Sequence, residues 1–191
     1  MLVEKLAKEN LSEEKFTEEK LTEEKLTEEK LVEEKPIEEK LVQYLADNNM
    51  KISTAESCTG GMISSTLVNV PGASAVLDEA YVTYANQAKI KILSVKKETL
   101  EKFGAVSYET AYEMVEGLQK LTNADVAVAV TGIAGPDGGS KDKPVGTVYA
   151  GFYYNNTIEV KLYHFHGDRF SVRSQTVETV LDNIYKNITN L

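Results

Sequence analysis

The 191-residue sequence has one cysteine, two histidines and four prolines. Nowhere does it hold the roughly 20 consecutive apolar residues that a membrane span needs. A lone cysteine, Cys58, cannot close an internal disulfide, so nothing points to a secreted, oxidised framework. With His164 and His166 the only histidines, both in a stretch of alternating exposure, a Ser-His-Asp triad is unattractive. No clustered His/Cys spacing is present and Asp137 stands alone, so no metal and no cofactor is expected. A formal net charge of -9 disfavours nucleic acid or anionic lipid as a partner. The N-terminus is dense in Glu and Lys without an apolar segment, which argues against a signal peptide. A soluble, cytoplasmic protein without nucleic-acid or membrane partners is the expectation.

What the chain does have is unevenly placed. Residues 1–40 hold 8 lysines and 14 glutamates, carried by a five-residue unit that runs LSEEK, FTEEK, LTEEK, LTEEK, LVEEK, PIEEK. A period of five advances about 140° per repeat around a helix, so Leu11, Phe16, Leu21, Leu26 and Leu31 scatter and form no seam. Residues 1–35 are therefore read as a low-complexity tail, either a solvated helix or an expanded chain, with a partner-binding arm as the functional alternative.

From Pro36 to residue 191 the pattern is that of a folded domain. Pro36 suits the first turn of a helix that carries Ile37, Leu41, Val42 and Leu45 on one face. Lys51–Ala55 reads as a strand, and Met62, Ile63, Leu67 and Val68 have helical spacing until Val70-Pro71-Gly72. Ala80–Tyr84 reads as a strand and Gln87–Leu93 and Lys97–Phe103 as short helices. Tyr108–Leu121 reads as a longer helix capped by Ser107. Asp125–Val130 has the apolar character of a central strand, and Val145–Tyr154 with Thr157–Phe165 forms a hairpin over Asn155-Asn156. A last helix starts near Phe170. The fold class that follows is α/β, a three-layer α/β/α sandwich with a mixed sheet, preceded by the charged repeat tail.

Two glycine-rich loops each follow a strand. The first lies in STAESCTGGM, residues 53–62, and the second in Thr131-Gly132-Ile133-Ala134-Gly135-Pro136-Asp137-Gly138-Gly139. A strand, a tight turn and a helix start present free backbone N–H groups and the positive end of a helix dipole, so the first loop reads as an anion site. Open α/β sheets bind ligands at the carboxyl ends of strands, which places one site between the two loops. Neither a Walker A sequence nor a G-x-G-x-x-G fingerprint is present, so composition alone leaves phosphate, nucleotide and carboxylate ligands open.

Five motifs in order carry a resemblance. Thr54-Ala55-Glu56-Ser57-Cys58-Thr59-Gly60-Gly61, Val82-Thr83-Tyr84-Ala85-Asn86-Gln87-Ala88-Lys89, Gly104-Ala105-Val106-Ser107, the second glycine loop with Lys143-Pro144-Val145-Gly146-Thr147-Val148, and Gly167-Asp168-Arg169 together resemble the CinA C-terminal domain family. Its members include nicotinamide mononucleotide deamidases. The resemblance implies hydrolysis of the carboxamide of that nucleotide to the acid with release of ammonia, as part of pyridine nucleotide salvage. It also implies a homodimer, and says nothing about the tail.

Amide hydrolysis needs a nucleophile, a base that later protonates the departing amine, and donors for the oxyanion. The resemblance places Ser57 as nucleophile with Tyr84 and Lys89 beside it. A lysine desolvated in a pocket can lose its proton near neutral pH and accept one from a serine hydroxyl. Tyr84 would relay that proton or hold the ammonium in place. Cys58 is the stronger nucleophile by type, but a lone cysteine is more often a small buried hydrophobe. Glu56 serves either the loop's backbone or the chemistry. For substrate binding the expected residues are Glu56, Thr59, Gly60 and Gly61 in the first loop, Ser74, then Thr131, Gly132 and Gly135 in the second, with Arg169 on the phosphate. The alternative from another class is a regulatory module that holds a nucleotide without turning it over.

Overall fold

A computed structural model describes residues 35–189. The tail expected over 1–35 lies outside the described residues except for Lys35. From Pro36 onward the elements run α1 (Ile37–Asp47), β1 (Ile52–Glu56), α2 (Met62–Val68), a 3-10 turn (Ala73–Ala75), β2 (Leu77–Val82), α3 (Asn86–Leu93), α4 (Lys97–Phe103), α5 (Tyr108–Thr122), β3 (Val126–Gly132), β4 (Thr147–Tyr154), β5 (Thr157–His164) and α6 (Arg169–Thr189).

The five strands form one sheet in the order β2-β1-β3-β4-β5. β1 pairs parallel with both β2 and β3, whereas β3 with β4 and β4 with β5 are antiparallel, so the sheet is mixed. Helices cover both faces, as the three-layer expectation requires. The side chains of β3 show how the faces divide. Val126, Val128 and Val130 join Leu41, Leu45, Ile63, Val180, Leu181 and Ile184 in one core, beneath α1, α2 and α6. Ala127 and Ala129 face the other way, onto Leu93, Met114, Val115 and Leu118 of α3 and α5. The small residues let α5 lie close: a Cβ on Gly151 in β4 would stand 2.7 Å from the Ala111 carbonyl oxygen. Strand period 2 thus sorts branched from small residues, one kind to each helical layer.

Local chemistry sets the boundaries. The Ser107 hydroxyl accepts the Thr110 N–H at 3.2 Å and caps α5. Asn155 and Asn156 both take positive φ, 51° and 59°, as a two-residue hairpin turn between right-twisted strands requires. β2 departs from expectation: it occupies 77–82 rather than 80–84. It is an edge strand with alternating exposure, so Asp78 leaves the apolar run without disturbing a core. Thr83 still bonds the Glu56 carbonyl at 2.8 Å through its N–H, but the chain then turns away toward α3. The last helix begins at Arg169, one residue earlier than expected, because the Asp168 carboxylate accepts the Ser171 N–H at 2.8 Å. That exposed carboxyl is held below its ordinary range, first by the Ser171 backbone bond.

Among the described residues no helix is long and apolar enough to cross a membrane.

Candidate functional site

The chain leaves β1 to form β2 on one side and returns to form β3 on the other, so a crevice opens at the carboxyl ends of β1 and β3. Ser57 is the first residue past β1, and its N–H donates to the Val130 carbonyl at 3.1 Å, which pins the turn against β3. Lys89 reaches the same point from α3. Its side chain is fully buried, with 1% of the residue exposed, and the Nζ lies 3.0 Å from Ser57 Oγ, 2.8 Å from the Thr83 carbonyl oxygen and 3.2 Å from that of Tyr84. Burial lowers its pKa from 10.5 to about 8.

The three contacts define a proton arrangement. A carbonyl oxygen only accepts, so Thr83 and Tyr84 each take an N–H of the amine. A neutral amine has two N–H groups and one lone pair, and with both N–H groups committed the lone pair is left for the Ser57 hydroxyl proton. As an ammonium Lys89 donates to all three oxygens, Ser57 Oγ included, and as the neutral amine it can accept the Ser57 proton. Cys58 beside it is different: burial pushes its thiol up to about 12, so near neutral pH it is almost wholly protonated and reacts only slowly while it stays buried.

Glu56, the last residue of β1, is wholly buried. One carboxylate oxygen accepts the Gly61 and Ile63 N–H groups at 2.9 and 3.0 Å. The other accepts the Ser64 N–H and hydroxyl at 2.9 and 3.0 Å. The donors that the sequence offers to an external anion are thus taken by an internal one. Glu56 holds the loop and does not line the pocket, and the Gly61 N–H is committed to it. Gly60 and Gly61 have φ of 61° and 96°, and this left-handed pair makes the sharp entry into α2. Thr59 turns its carbonyl to Arg173, which donates from Nη2 at 2.6 Å and Nε at 3.2 Å.

A cavity of about 190 Å³ lies over Ser57 and Lys89. Thr131 and Gly132 line it from β3, and the Thr131 hydroxyl donates to the Ala105 carbonyl at 2.7 Å. Gly132 is needed for room: a Cβ there would stand 2.7 Å from Val148 Cγ2, 2.9 Å from the Thr147 oxygen and 3.1 Å from Cys58 Sγ. Arg169 closes the rim. Its Nη1 donates to the Gly135 carbonyl at 2.8 Å and its Nη2 to the Tyr84 hydroxyl at 3.3 Å. Tyr84 is 62% exposed, and it is its carbonyl, not its hydroxyl, that meets Lys89.

The structure therefore brings Ser57, Lys89, Tyr84, Thr131, Gly132 and Arg169 around one cavity, with Gly135 touching it through Arg169. Ser74 is not there. It sits exposed in the turn that precedes β2, at the amino ends of the parallel strands and so at the far edge of the sheet from Ser57. Neither histidine lines the cavity. A larger groove of about 750 Å³ on α1, α2 and α6 contains none of the expected site residues. Among the described residues no three His, Cys, Asp or Glu side chains are grouped to hold a metal ion.

Sequence reasoning missed the opposite wall, Ala105 and Val106, because the Gly104-Ala105-Val106-Ser107 motif bears no reactive side chain. It also missed Arg173, whose four-residue spacing from Arg169 on one helix face was the available signal.

The fold has counterparts among solved structures. The crystal structure of a CinA superfamily protein from Klebsiella pneumoniae 700603 superposes with a TM-score of 0.77 at 32% identity, covering 81% of this chain and 97% of that one. The competence/damage inducible protein CihA of Agrobacterium tumefaciens gives 0.73 at 41% identity, with 78% and 94% covered. In sequence, a Clostridium novyi protein named provisionally as competence-damage inducible is 52% identical over 142 residues, 74% of this chain. The CinA-like protein of Thermotoga neapolitana is 49% identical over 148 residues. The matched stretch spans about a third of these curated relatives, 34% and 36% of their length. The family described as the CinA C-terminal domain matches residues 34–188, and the chain belongs to it.

Proposed function

We propose that the cavity is an amidase site that hydrolyses the carboxamide of nicotinamide mononucleotide to the carboxylate and releases ammonia. The observation that carries this reading is the buried Lys89 amine, with its pKa lowered to about 8, at 3.0 Å from the Ser57 hydroxyl. Neutral Lys89 takes the proton from Ser57 Oγ as that oxygen attacks the carboxamide carbon. The resulting ammonium gives its proton to the departing amino group, the C–N bond breaks, and ammonia leaves an acyl-serine. Lys89, neutral again, then takes a proton from water as the water oxygen attacks the ester carbon. That proton returns to Ser57 Oγ as the carboxylate leaves.

Size and charge favour a nucleotide as the substrate. A cavity of about 190 Å³ accepts the nicotinamide ring and leaves ribose and phosphate at the rim. Arg169 stands there with its guanidinium held by a carbonyl and a hydroxyl and with no carboxylate partner among the described residues. Its remaining donors match phosphate oxygens. The same reading has the protein acting in the cytoplasm on a free nucleotide as a homodimer, without nucleic acid or membrane. Light scattering of the purified chain checks the assembly.

The test is ammonia release from nicotinamide mononucleotide by wild type and Ser57→Ala, each with and without a chelator. Release by wild type and its loss in Ser57→Ala, with affinity for the nucleotide retained, is the expected result. Binding without release by wild type overturns the enzyme reading in favour of a regulatory module that holds the nucleotide. Turnover of amides without preference for the phosphorylated nucleoside overturns the assignment of substrate.

A further inference from the structure

We infer that Lys143 is a positioning residue of the cavity, holding the wall formed by Ala105 and Val106 against Ser57 from the far side. Lys143 belongs to the Lys143-Pro144-Val145-Gly146 stretch that the reaction itself does not use. Its Nζ lies 2.9 Å from the Phe103 carbonyl oxygen and 2.7 Å from that of Val106. Phe103 ends α4, where unpaired carbonyls and the negative end of the helix dipole favour a cation. Lys143 forms no ion pair among the described residues, so carbonyl oxygens alone meet its charge.

The wall segment has no regular structure of its own, and its four successive carbonyls all depend on side chains. Phe103 and Val106 bond Lys143. Gly104 accepts the Ser107 and Thr110 hydroxyls at 3.0 and 2.8 Å, and Ala105 accepts the Thr131 hydroxyl at 2.7 Å. Of these, only Lys143 bonds two of the four and brings a full charge. Its own backbone is braced, since the Lys143 N–H donates to Ser140 Oγ at 3.0 Å and the Ser140 N–H donates to the Lys143 carbonyl at 2.8 Å. A fixed lysine thus ties the connection between α4 and α5 to the loop after β3. Ala105 and Val106 line the cavity with Ser57 and Cys58, so where this segment sits sets the width of the site.

Ser57 and Lys89 are held by β1, β3 and α3, whereas the hydrogen bonds of Lys143 go to Phe103, Val106 and Ser140, so losing Lys143 widens the cavity without altering the reacting pair. Cys58, the only cysteine, lines that cavity and is 7% exposed, which makes it a reporter that needs no turnover. The experiment measures the alkylation rate of Cys58 by a small neutral reagent, and kcat and KM for nicotinamide mononucleotide, in wild type, Lys143→Met and Lys143→Arg. Lys51→Met is the control, because Lys51 likewise donates to a carbonyl, that of Ala75 at 2.7 Å, but at the far edge of the sheet.

The expected result is Cys58 alkylation at least about fivefold faster in Lys143→Met, with KM raised about tenfold, kcat within about threefold, and partial recovery in Lys143→Arg. Lys51→Met should behave as wild type. Alkylation at the wild-type rate in Lys143→Met, or an equal rise in Lys51→Met, overturns the inference and leaves Lys143 a helix cap. The kinetic arm rests on the amidase reading and the alkylation arm does not, so an inactive wild type would sink that reading alone.

Discussion

On the amidase reading, the protonation state of Lys89 sets whether Ser57 has a base. Only the neutral amine accepts a proton, and burial brings the pKa to about 8, so the reactive fraction grows as pH rises to that value and then levels. Initial rates at subsaturating substrate should rise about tenfold per pH unit well below 8 and flatten above it. Lys89→Arg keeps the charge and the reach but cannot deprotonate in a protein, so it should lose about a hundredfold or more of the activity, as Lys89→Met does. A flat profile between pH 6 and 9 in wild type, or an active Lys89→Arg, would refute a lysine base. In the sequence, the approach of Lys89 to Ser57 was legible only through the motif resemblance. A lysine three residues into a polar helix start has the pattern of a solvated side chain, and nothing local reveals that α3 turns it under the Thr83 and Tyr84 carbonyls.

At the scale of an element, the turn from β1 into α2 is organised by Glu56, and this inverts the expectation that the loop awaits an anion. The carboxylate sits where the ligand was expected and satisfies three backbone N–H groups and one hydroxyl. Glu56→Gln keeps shape but replaces one acceptor oxygen with a donor, leaving at least one buried N–H unpaired. The cost is about 2 kcal/mol. For a domain of this size that is a fall in Tm of roughly 4–8 °C by calorimetry. A variant melting with wild type would mean the carboxylate does not hold the turn. The sequence showed the strand, the turn and the helix start because β-branched residues, paired glycines and apolar spacing each act locally. It did not show which group fills the anion position, since that depends on how far the β1 terminus stands from the first turn of α2. The shift of β2 has the same origin: an edge strand tolerates Asp78, so composition alone misplaced its start.

Across the whole molecule, topology places the site more firmly than any single residue does. β1 lies between β2 and β3, so the carboxyl ends of the parallel strands diverge at one point, and both glycine loops leave the sheet there. This much was legible from two strands each followed by a glycine loop. The position of Ser74 was not, because a serine two residues after a glycine reads alike at either edge of a sheet. The family match covers residues 34–188, and both apolar cores beneath the helical layers lie within it. The tail over 1–35 has seven lysines and twelve glutamates and an apolar residue only every fifth position through most of it, a spacing that leaves no continuous face to bury. A chain of residues 36–191 should therefore fold unaided, melting within about 3 °C of the full chain and keeping kcat/KM within about twofold. Differential scanning calorimetry and the ammonia assay on the two chains decide it. A loss of 10 °C or more, or of most of the activity, would make the tail a working part of the domain.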